Sequence, residues 1–178
     1  MTSSDPPRSL VPDRPDWTWV LERPCPECGV DVAELDIERT PTLIRENATA
    51  WVELLAGPDL STPRKENHWS PLEYACHVRD VFELYHYRLG LMLSEDGPHY
   101  PNWDQDLTAI DKDYPSSDPA VVAVELTEQA HLLASRFETV TGDDWARTGF
   151  RSDGAAFTIA SFARYLLHDP IHHLWDVR

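Results

Sequence analysis

Apolar residues recur at intervals of three and four along four stretches of the chain, the period of helices that each bury one face. The first stretch runs from about Thr40 to Leu55, with Ile44, Ala48, Trp51 and Leu55 on its stripe, Pro41 in its first turn and Gly57-Pro58 beyond its end. The second carries the strongest start signal. Ser70 stands as N-cap, Pro71 at the first helical position and Glu73 three residues after the cap, the pattern of a capping box. Its stripe of Tyr74, Val78, Val81, Phe82, Tyr85, Leu89 and Met92 continues to about Ser94, where Asp96-Gly97-Pro98 closes it. A third helix is predicted from Asp118-Pro119 to about Val140, with Val122, Leu126, Ala130, Leu133 and Phe137 on one face. The fourth starts near Thr158, carries Ile159, Phe162, Ala163, Leu166 and Leu174, and ends near Trp175. Pro170 inside it removes one backbone hydrogen bond and is expected to bend the helix about a turn upstream.

The remaining segments lack that period. Residues 1 to about 24 contain Pro6, Pro7, Pro12, Pro15 and Pro24, which predicts an extended arm; Trp17, Trp19, Val20 and Leu21 give it enough apolar weight to pack across the body. The polar connection from His99 to Ser117 is long enough to cross the bundle or cover a site. Between Arg147 and Thr158, the Ser152-Asp153-Gly154 turn predicts a short hairpin. The expected architecture is therefore all-α: a four-helix bundle over residues 36–178 with a long crossover connection, preceded by a Pro-rich N-terminal arm over residues 1–35.

Charge narrows the range of functions. Across 178 residues, 15 Lys and Arg face 31 Asp and Glu, a formal net charge of −16 that repels phosphate backbones and anionic lipids. Nucleic acid and membrane are thus excluded as expected partners. The N-terminus shows no apolar signal region and no stretch approaches a bilayer span, so a cytoplasmic location is expected. Cys25, Cys28 and Cys76 are an odd number and read as reduced thiols.

Histidine spacing supplies the candidate chemistry. His168 and His172 are four apart, which on a helix places their rings about 40° apart on one face, near enough to share one metal ion. His77, which shares a face with Tyr74, Val81 and Leu84, is the candidate third ligand. The competing reading is a solvated pair. On a helical wheel, His168 and His172 lie with Ser161, Tyr165 and Trp175, opposite Ile159, Phe162 and Leu166, so the last helix must be buried on both sides or be rephased at Pro170. Cys25-Pro-Glu-Cys28-Gly has the form of half a zinc knuckle whose other half is not visible in the sequence; a reduced, turn-forming pair is the default.

Taken together, Trp69-Ser70-Pro71-Leu72-Glu73, His77-Val78-Arg79-Asp80 and the distant His168-Asp169-Pro170-Ile171-His172-His173 resemble the pattern of the DinB/YfiT-like superfamily over about residues 36–178. The resemblance implies a four-helix bundle holding one divalent ion through His77, His168 and His172. Zinc is the first choice, and nickel and iron are admitted by the same donors. It also implies a metal-dependent transferase or hydrolase that uses a low-molecular-weight thiol, such as mycothiol or bacillithiol, against a small-molecule electrophile. The resemblance does not extend to the Cys25–Cys28 segment. The alternative class is a non-catalytic metal-binding or stress-related interaction protein, one that could pair as a homodimer.

Further residues are expected around such a site. Asp80 could accept a hydrogen bond from a ligand histidine or pair with Arg79. His173 points about 100° away from His172 and reads as structural or pocket-lining. Trp103 and Tyr114 could line the entrance or anchor the core, and Arg147 and Arg151 could meet an anionic substrate or pair at the surface.

Overall fold

The computed structural model describes residues 17–178; Pro6, Pro7, Pro12 and Pro15 of the arm lie outside these. Helices α1 (Thr40–Leu55), α2 (Pro71–Ser94), α4 (Pro119–Phe137) and α5 (Ile159–Asp176) form the bundle. Between α2 and α4 lie strand β1 (His99–Tyr100) and the short helix α3 (Gln105–Asp111), and between α4 and α5 lies the hairpin β2 (Thr148–Arg151) and β3 (Ala156–Thr158). The described part of the arm is not extended. It winds through 3-10 turns at Trp17–Leu21, Val32–Glu34 and Ile37–Arg39.

Local chemistry accounts for the starts of these helices. Ser70 Oγ accepts from the Glu73 N–H while Glu73 Oε2 accepts from the Ser70 N–H, so the expected capping box closes in both directions. Thr158 and Ser161 cap α5 in the same reciprocal way. Asp104 accepts from the N–H groups of Asp106 and Leu107, which starts α3 inside the long connection.

Helix α4 packs against both α1 and α2, and α5 packs against both as well. Trp51, Phe82, Leu126, Phe137 and Phe162 fill the space between them. Strand β2 pairs parallel to β1 and antiparallel to β3, which extends the predicted hairpin by a strand from the crossover. A side chain at Gly149 would come within 2.8 Å of Met92 and 3.0 Å of Tyr100, so only glycine lets the sheet lie this close to the end of α2.

The arm packs along α5, with Val20, Cys25 and Val32 buried. This settles the helical-wheel conflict. The stripe of Ile159, Phe162, Ala163 and Leu166 faces the bundle, His168 and His172 are also buried, and α5 runs uninterrupted through Pro170. The last helix is buried on two sides because the arm covers the second.

Two expected site residues turn out to join elements together. The Asp80 carboxylate accepts from Arg79 Nε at 2.8 Å and from the Tyr114 hydroxyl, and pairs with Lys112 Nζ at 3.0 Å. It therefore ties α2 to the crossover and makes no hydrogen bond to a histidine among the described residues. Tyr114 is fully buried beneath this network and serves as a core anchor; it does not line the entrance.

Burial alone would raise the Asp80 pKa, but the hydrogen bonds from Arg79, Tyr114 and Lys112 outweigh it and hold the carboxyl below its ordinary value. A depressed folded-state pKa contributes stability that is complete above the unfolded value of about 3.9 and is lost as pH falls through the folded one. Asp80→Asn is expected to cost about 1–3 kcal/mol near neutral pH, because buried donors lose their partner. It should also weaken the loss of stability on acidification. Urea unfolding at about pH 7 and about pH 3 reads both effects, and equal acid sensitivity in the two proteins would contradict the assignment.

Candidate metal centre

Helix α5 presents His168, Asp169, His172 and His173 in two pairs, each spaced by one turn and offset from the other by one residue. An offset of one residue turns the second pair about 100° around the axis. The two pairs consequently meet different partners.

Asp169 and His173 face α2. His77 Nε2 lies 3.2 Å from Asp169 Oδ1, and His173 Nε2 lies 3.8 Å from Asp169 Oδ2. The three ligand atoms of His77, Asp169 and His173 all fall within 4.8 Å of one another. His173 Nδ1 is 3.0 Å from Asp176 Oδ2, so a proton on that nitrogen is held by a carboxylate and the Nε2 lone pair is left toward Asp169. Aromatic rings hold the imidazoles in place: Tyr74 stacks on His173 at 4.5 Å, and Trp103 stacks on His77 at 5.4 Å. The Trp103 indole N–H donates to Thr108 Oγ1, which fixes that ring at the edge of the cavity.

His168 and His172 face the arm. Cys25 Sγ lies 3.6 Å from His172 Nδ1, and Cys28 Sγ lies 3.6 Å from His168 Nε2. All four ligand atoms fall within 4.8 Å of one another. The thiols sit on a closed turn in which the Gly29 N–H donates to Cys25 O and the Cys25 N–H donates to Val30 O. Gly29 has φ +76°, the left-handed region that glycine enters without strain. Trp17 covers the cluster, with its ring 5.6 Å from His168 and 5.4 Å from His172.

The expected set of His77, His168 and His172 is thus divided between two clusters. Among the described residues, no group of three or more candidate ligand atoms within 4.8 Å joins His77 to either of the other two. The reason is angular: the histidine four residues after Asp169, not the one four residues after His168, shares a face with His77. The sequence pattern alone assigns no ligand role to Asp169 and makes His173 structural or pocket-lining. The offset D-x-x-x-H spacing beside H-x-x-x-H is the signal that marks them.

Electrostatics favour the ligand forms of His77, His168 and Asp169, whereas burial pushes the Cys28 thiol up. Burial lowers the His77 pKa, against an opposing pull from Asp169. Burial followed by the neighbouring His172 lowers His168 to about 4. Asp169 is held well below the usual carboxylate range: burial opposes this, but His77 and His173 prevail. Neutral imidazoles and an ionised carboxylate are the forms that bind a cation, so the residues fit a divalent ion.

A cavity of about 480 Å³ opens beside both clusters, lined in part by Tyr74, Trp103, Asp169 and His173 and also by His168 and His172; His77 is not itself part of its wall. Its far wall carries Arg88, which is almost fully buried and donates to Pro101 O, with no carboxylate within 4 Å among the described residues. Arg147 and Arg151 are satisfied within the fold. Arg151 forms a fork with Asp153, and Arg147 donates to the carbonyls of Met92 and Glu95.

Comparison with known proteins places the chain in a family. No curated protein sequence matches the chain. Among solved structures, the chain is similar to YfiT from Bacillus subtilis, described as a probable metal-dependent hydrolase with an unusual four-helix bundle topology. The TM-score is 0.70 at 19% identity, covering 77% of this chain and 82% of that one. The profile of the DinB superfamily matches residues 42–177, from α1 through the end of α5, and the chain belongs to that superfamily.

Proposed function

We propose that this protein is a metal-dependent hydrolase of small molecules bearing an anionic group, with a divalent ion held by His77, Asp169 and His173. The observation that carries the reading is the convergence of two imidazoles and one carboxylate, from α2 and α5, two of which, Asp169 and His173, line a cavity of ligand size. A divalent ion bound there supplies Lewis acidity to polarise a carbonyl or acidify a water. The protein supplies the rest. Asp176 holds the His173 tautomer, Trp103 and Tyr74 fix the ring planes, and Arg88 offers an uncompensated guanidinium to a carboxylate or phosphate on the substrate.

The likeness to YfiT supports hydrolysis, and the three-donor set supports an open site, since a purely structural ion would be closed by a fourth protein ligand. The same donors would serve transfer from a low-molecular-weight thiol. The two chemistries separate in the assay, because only the second consumes the thiol.

The test is turnover of a panel of carboxylate- and phosphate-bearing esters and amides by protein loaded with zinc, nickel or ferrous iron, with and without added thiol. His77→Ala and Asp169→Asn are each expected to lower turnover about a hundredfold or more. Activity that survives both substitutions would overturn the site. Arg88→Met is expected to raise KM for anionic substrates about tenfold or more while leaving kcat and the KM of neutral analogues nearly unchanged. An equal effect on neutral analogues would remove Arg88 from substrate recognition.

A further inference from the structure

We infer that Cys25, Cys28, His168 and His172 bind a Zn²⁺ ion in a closed structural site that fastens the N-terminal arm to α5. This site is separate from the one proposed for catalysis and does not depend on that reading.

Geometry carries the inference. Zn–S bonds of about 2.3 Å and Zn–N bonds of about 2.0–2.1 Å at tetrahedral angles place sulfur and nitrogen ligands about 3.5–3.6 Å apart. Two of the four S···N separations in the cluster are 3.6 Å, and all four donors lie within 4.8 Å of one another. Two thiolates and two imidazoles are a donor set that selects zinc over the harder divalent ions.

The surroundings are those of a built site. The Cys25–Gly29 turn is closed by backbone hydrogen bonds in both directions, so the thiols are presented before any ion arrives. The histidines are one turn apart on a helix that is itself held by the bundle. His172 offers Nδ1 to the cluster, and its Nε2 faces Asp176 Oδ2 at 3.6 Å and Glu27 Oε2 at 3.8 Å, carboxylates that orient the ring. Binding releases the two thiol protons, and the resulting pair of thiolates neutralises the charge of the ion, which suits a buried location.

The consequence reaches the cavity. Trp17 and Glu27 of the arm form part of its wall, so an ion that pins the arm also fixes that wall. His172 and His173 are adjacent on α5, and both approach Asp176. The structural ion and the proposed reaction centre would therefore stand on neighbouring faces of one helix.

The test uses the full chain, purified under reducing conditions without added metal. Zinc is expected at one tightly held equivalent that survives Asp169→Asn and is lost when Cys25→Ser and Cys28→Ser are combined. Replacement by cobalt(II) is expected to give thiolate-to-cobalt charge-transfer absorption with the intense visible bands of a tetrahedral site, again unaffected by Asp169→Asn. Should the double variant fail to fold, mercurial modification of the unsubstituted protein provides the reading, with stoichiometric zinc release expected. Three results would overturn the site: no charge-transfer absorption in the cobalt protein, Cys25 and Cys28 thiols that react without releasing metal, or a Cys25–Cys28 disulfide in the freshly purified protein.

Discussion

The one-residue offset between the two donor pairs of α5 is the constraint on which the rest of the structure depends. A helix turns about 100° per residue, so His168 with His172 and Asp169 with His173 cannot serve the same partner. One pair faces α2 and the cavity. The other faces the arm and also borders the cavity, and its ring nitrogens would have to be solvated or covered. The arm covers them, which is why a segment without helical period carries Val20, Cys25 and Val32 into buried positions.

Asp176 connects the two faces. Its carboxylate approaches both His172 and His173 and pairs with Lys65 Nζ at 3.2 Å. Burial would raise its pKa, but His173, His172 and Lys65 hold it below the ordinary carboxylate range, so it remains an anionic acceptor for His173 and a counter-charge 3.6 Å from His172. In a chain of formal net charge −16, cations near the centre are few. Arg88 stands out among them because its guanidinium is buried against Tyr100 and Pro101 without a carboxylate partner among the described residues.

Much of the fold was legible in the sequence because periodicity and caps report local physics. The bounds of α1 and α2 coincide with the stripes and with the Ser70 box, and the hairpin falls at Ser152-Asp153-Gly154. The order within the long connection was not legible: α3 and β1 are too short to show a period, and β1 exists only because β2 offers it an edge. At the site, the sequence identified His77, His168 and His172 as chemically significant but not how they divide. The helical wheel already placed His168 and His172 opposite the core stripe, and Cys25-Pro-Glu-Cys28 already lacked a second half. Each anomaly answers the other, yet only three-dimensional contact between residues 147 positions apart in the chain makes that visible. Asp80 and Tyr114 each admit two readings in the sequence, beside an ion or within the fold, and they hold the crossover against α2.

The most direct test of the account is crystallographic: anomalous difference maps collected on either side of the zinc absorption edge from zinc-supplemented crystals. Two peaks per chain are expected on adjacent faces of α5, one enclosed by Cys25, Cys28, His168 and His172 and the other among His77, Asp169 and His173. A single peak bridging His77 to His168 and His172, with the cysteines turned away, would contradict it.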